Sequence, residues 1–109
     1  MMQKIVEIIT AAQIPCAYRF YPVGKAPALP YAVYFENSSN NFIADNTVYV
    51  VGDAWTIELY TEDSGRKQRK ALEAAISAAE IVWERSDTIF IDDENMFVTY
   101  YNFSMMESE

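Results

Sequence analysis

Residues 47–61 read TVYVVGDAWTIELYT and residues 96–106 read MFVTYYNFSMM, two aromatic and β-branched runs whose reading decides the fold class. Along 54–61, Trp55, Ile57 and Leu59 fall on one side while Thr56, Glu58 and Tyr60 fall on the other, the period of two that a pleated strand imposes. The Gly52-Asp53 pair suits a two-residue hairpin between strands 47–51 and 54–61; one long bulged strand is the alternative. In the second run Met96, Val98 and Tyr100 alternate with Phe97, Tyr101, Phe103 and Met105, so both faces of that strand are apolar.

Outward from these strands, Tyr31 to Glu36 reads as another strand that opens after Pro30 and is broken by the polar run NSSNN. CAYRFY at 16–21 alternates and is ended by Pro22, and Pro22, Gly24, Pro27 and Pro30 make 22–30 an irregular connection. Ile5, Ile8, Ile9 and Ala12 recur at helical spacing and predict a helix over 2–13. A second helix is expected over 65–80, capped by Ser64, with Leu72, Ala75, Ile76 and Ala79 as its apolar stripe. Residues 81–92 read as extended, and Asp92, Asp93, Glu94 and Asn95 as the turn before the last strand. The predicted fold is α+β, an antiparallel β-sheet packed by two α-helices in the order α-β-β-β-α-β-β. Two short helices cover one face of such a sheet, so the surplus aromatic face is expected to serve association; a sheet curled enough to bury both sides itself is the alternative.

The 109 residues have room for one core, hence a single α+β domain over 1–109. Eight basic against sixteen acidic residues give a net charge of -8, which repels a phosphate backbone, so nucleic acid is not an expected partner. Cys16 is the lone cysteine, and a small packed hydrophobe is its expected role. The opening MMQKIVEIITAAQIP, interrupted by Glu7 and Gln13, lacks the apolar run of an export signal, and no stretch is long enough to span a membrane. Synthesis in the cytoplasm is the expectation.

The chain contains no histidine, which removes the commonest general base and transition-metal ligand together with serine-histidine and cysteine-histidine dyads. Gly24, Gly52 and Gly65 are isolated and build no phosphate-cradling loop. Asp92, Asp93 and Glu94 lack the spacing of a calcium loop and read as a solvated turn. Catalysis would need carboxylates or tyrosines to converge, as Glu58 with Tyr60 or Tyr100. No enzyme, cofactor or metal is expected; a small ligand-binding or regulatory domain, with an aromatic pocket, is the alternative to association.

Arg66, Lys67, Arg69 and Lys70 open the second helix, where the macrodipole disfavours positive charge, and they are half of all basic residues. One reading is a solvated helix start in which Arg69 and Lys70 reach Glu73. The other is a docking patch for an acidic partner, including a second copy of this acidic chain.

From Ile14 to Met106, and most specifically in Asn41-Phe42 with Asp45 and Tyr49, in IELYT at 57–61 and in Glu94 to Met96, the chain resembles small tail-completion proteins of siphophages and related prophages of Firmicutes, relatives of tail terminators. The resemblance implies a virion structural protein that joins a ring, usually six-fold, at the head-proximal end of the tail tube. There it would contact other copies of itself, the tail tube protein and the head-completion or connector protein. A head-completion adaptor is the closest alternative role. The interface residues expected on this reading are Arg66, Lys67, Arg69, Lys70, Tyr101 and Phe103.

Overall fold

The computed structural model describes the backbone of residues 2–44 and 47–106 and the side chains of 3–36 and 54–104. The elements in chain order are α1 (Met2–Ala11), β1 (Cys16–Tyr18), β2 (Tyr31–Ala44), β3 (Thr47–Thr61), α2 (Arg66–Ala78), β4 (Trp83–Arg85), β5 (Ile89–Ile91), a 3-10 turn over Asp92–Glu94, and β6 (Met96–Met106). The sheet runs β1-β2-β3-β6-β4, and β5 pairs with β6 beyond β4. The α+β class stands. The sheet is mixed, however, not antiparallel throughout, because β1 pairs with β2 in parallel, Cys16 opposite Ala32 and Tyr18 opposite Tyr34. The loop over 19–30 is long enough to return the chain for that parallel start, where a tight hairpin would reverse it.

The helix pair covers one sheet face. Ile5, Ile8 and Ile9 of α1 and Leu72 and Ile76 of α2 are buried in one cluster with Ala32, Tyr34, Trp55, Ile57, Leu59, Tyr101 and Phe103. The register explains this grouping: Trp55 lies opposite Phe103 and Ile57 opposite Tyr101, so alternate residues of three strands meet beneath the helices. Tyr101 and Phe103 are therefore core residues, 0% and 5% exposed, and the expectation that they form an open interface is corrected. Two helices suffice for their face; the opposite one carries Tyr31, Val33, Glu58, Tyr60, Val98 and Tyr100.

Several boundaries differ from the sequence reading for physical reasons. The first helix ends at Ala11 because Gln13 adopts φ 62°, and its N–H donates to the Thr10 carbonyl at 2.8 Å. The strand from Cys16 stops at Tyr18, since Arg19 also has positive φ, 70°. The polar run after Glu36 does not break β2. It is absorbed by a register shift between Glu36 and Ser39, beyond which the ladder with β3 resumes. Gly52-Asp53 is not a hairpin turn: Gly52 pairs with Asn40 and Met106, inside the long strand that was the alternative. The second helix is capped by Gly65 rather than Ser64. Gly65 sits at φ 71°, and its N–H donates to Asp63 Oδ1 at 2.8 Å. No described helix is long and apolar enough to cross a membrane.

Candidate functional site

Two charged recesses lie on opposite faces of the sheet. The first opens at the start of α2, about 260 Å³ lined by Arg66, Arg69, Lys70, Glu73 and Arg85. It brings together three of the four basic residues expected at an interface; Lys67 points elsewhere, beside Gln68 and Ile14. Glu73 lines the same recess but forms no ion pair with Arg69 or Lys70, the contact that one of the two sequence readings gave it. Its Oε2 accepts from Arg85 at 2.8 Å and from the buried hydroxyl of Tyr101 at 2.8 Å, which holds it against the sheet. Burial and then the Glu73 carboxylate push the Tyr101 hydroxyl well above its ordinary range, so it stays a donor. Arg69 turns back to donate from Nε to the Ser64 carbonyl at 3.1 Å. Among the described residues neither Arg66, Lys67 nor Lys70 takes part in an ion pair.

The second recess, about 310 Å³, lies over the helix-free face, where the loop after β1 folds back toward β5 and the 3-10 turn. Its aromatic wall is Tyr21, Tyr31 and Tyr60, with ring centroids 5.3 Å apart from Tyr21 to Tyr31 and 5.3 Å from Tyr31 to Tyr60. Glu58 lines the floor and accepts from the Tyr60 hydroxyl at 2.5 Å, while Glu94 stands at the rim. Burial, followed by the Glu58 carboxylate, raises the Tyr60 hydroxyl far above its usual range. Burial and then Glu94 raise Tyr31 as well. The Tyr60 hydroxyl is therefore held as a neutral donor to Glu58, and the acidic side chains Glu58 and Glu94 outnumber the one cation, Arg19, around the recess. Arg19 also borders it, but its guanidinium is committed to Glu36 at 2.8 Å and lies over the Tyr18 ring, 5.1 Å from the centroid. The Tyr18 hydroxyl donates to the same Glu36 oxygen, and this bond, ahead of Arg19, lowers the Glu36 carboxyl below the ordinary range.

The pairing of Glu58 with Tyr60 was within reach of sequence reading, because residues two apart share a strand face. Tyr21 and Glu94 were not, since a loop and a turn bring them there, and Tyr31 arrives through the pairing of β2 with β3 that sets it opposite Tyr60; the aromatic density of the chain was the only hint. Cys16 is half-buried, and desolvation raises its thiol. Among the described residues no three acidic, cysteine or histidine side chains converge as metal ligands. Asp45 lies outside the described residues.

Compared by sequence with known proteins, the chain matches no family model and no curated protein.

Proposed function

We propose that this chain is a virion assembly protein, a tail terminator or tail-completion component whose copies form a ring at the head-proximal end of a phage tail tube and join it to the head. The observation that carries the reading is the length of β2 and β3. Strands of 14 and 15 residues reach about 50 Å at ~3.3 Å per residue, whereas the 13 residues of α2 cover about 20 Å at ~1.5 Å each. The extents of 48 × 27 × 25 Å agree with a sheet that outreaches its helices. A two-stranded ribbon beyond the packed layer is marginal in water, so it gains most by lying on another protein. The recesses of opposite charge support the same reading, as does the resemblance of residues 14–106 to tail-completion proteins.

The test is electron microscopy of induced lysates from the parent phage with this reading frame disabled. Full heads beside separate, overlong or irregular tails are expected. Normally joined virions would overturn the assembly role.

A further inference from the structure

We infer that the recess over Tyr60 receives a cationic side chain from the start of α2 of a second copy of this chain. The recess has the two features that hold a desolvated cation. The packed tyrosines 21, 31 and 60 line it with aromatic surface, which attracts a cation at any ring face left open, and Glu58 and Glu94 supply charge. The Tyr60 hydroxyl donates to one oxygen of Glu58 at 2.5 Å and steadies its carboxylate, which leaves the second oxygen to accept from an incoming group. Phe20, 67% exposed at the edge, offers an apolar shelf for the alkyl stem of an arginine or lysine.

The donor of that cation is identified by where charge is left uncompensated. Arg66 and Lys70 stand in the recess at the helix start with Arg69, and the Arg85 beside them is already paired to Glu73. The two recesses cannot meet within one chain. Leu72 and Ile76 hold α2 on the face of Ile57 and Leu59, while Glu58 and Tyr60 point to the other face. Between copies they meet head to tail, each chain offering a cationic surface to one neighbour and an acidic aromatic one to the next. Such a heterologous contact closes into a ring when its rotation divides a full turn. The inference rests on the ring reading above and supplies its contact.

The experiment is charge exchange on the full chain, read by sedimentation velocity and native mass spectrometry. Glu94→Arg lies on an exposed turn and Lys70→Glu on an exposed helix face, so both variants fold; circular dichroism verifies this. Each is expected to weaken self-association roughly tenfold or more, and the two variants mixed together, or combined in one chain, are expected to recover it. Association unchanged in the single variants, or no recovery in the combined one, overturns the contact. A native chain that stays monomeric at millimolar concentration overturns it too, as does a small cationic molecule retained by the monomer and lost in Glu94→Arg. The two proposals fail separately. Charge-exchange behaviour with normally joined virions removes the tail role and leaves this contact, and separated heads and tails with no charge-exchange effect do the reverse.

Discussion

The buried hydroxyl of Tyr101 on β6 donates to Glu73 Oε2 on α2 at 2.8 Å, and Arg85 on β4 donates to the same oxygen at 2.8 Å. One carboxylate thus ties the second helix to two strands. Removing either partner has unequal consequences. Glu73→Ala leaves a phenol hydroxyl buried without an acceptor and is expected to cost about 1–3 kcal/mol, whereas Tyr101→Phe removes donor and demand together and costs about 1 kcal/mol. Urea denaturation of both variants checks the order; an equal or smaller loss in Glu73→Ala would show that water reaches the Tyr101 hydroxyl.

The same bond sets an alkaline limit. The Tyr101 and Tyr60 hydroxyls titrate above their ordinary value in the fold, so between the two values the folded chain holds protons that the unfolded chain has released. Stability from this source is complete below the ordinary tyrosine pKa of about 10 and is lost as pH rises beyond it. Unfolding free energy is therefore expected to fall above that pH, with late, cooperative appearance of tyrosinate absorbance. Tyr101→Phe should flatten the decline, and a variant as steep as the native chain would remove Tyr101 as its source.

Gly65 is required by both its backbone and its surroundings. At φ 71° a side chain is strained, and a Cβ built there would lie 2.7 Å from Thr61 Cγ2 and 2.8 Å from Thr61 Oγ1. Thr61 cannot withdraw cheaply, because it is 2% exposed and its hydroxyl donates to the Asp63 carbonyl at 2.7 Å. Gly65→Ala is expected to lose more than about 1 kcal/mol, measured as a lower urea midpoint with unchanged slope. An unaffected midpoint would mean that the β3–α2 turn relaxes to take the methyl group.

What was legible in the sequence was periodicity. The alternation of Trp55, Ile57 and Leu59 with Thr56, Glu58 and Tyr60 holds, as does the stripe of Leu72 and Ile76, because each is set by its own backbone repeat. What failed depended on neighbours. NSSNN reads as a break, yet backbone groups pair whatever their side chains, and β3 supplies the ladder through a bulge. Tyr101 and Phe103 were correctly placed on one face of β6, but alternation does not say which face the helices choose. The candidate site divides the same way: Arg66, Arg69 and Lys70 meet because helical spacing brings them together, whereas Tyr31 depends on its pairing with Tyr60 across strands, and Tyr21 and Glu94 on a loop and a turn that no periodicity describes.

The cations at the start of α2 are a cost to the isolated chain, and this separates stability from assembly. Arg66 is exposed in the first turn, against the positive end of the macrodipole, and one helical turn before Lys70. Arg66→Glu reverses both terms: an acid there gains about 0.3–1 kcal/mol from the dipole, and its attraction to Lys70 across that turn adds about 0.2–0.5 kcal/mol. The variant is expected to be more stable than the native chain in urea and yet, on the assembly role proposed above, to join tails less well. If joining is unimpaired, Arg66 makes no necessary contact in the particle. If stability falls instead, Arg66 has a partner within its own chain, and its position in the cationic recess is then explained by the fold rather than by a neighbouring copy.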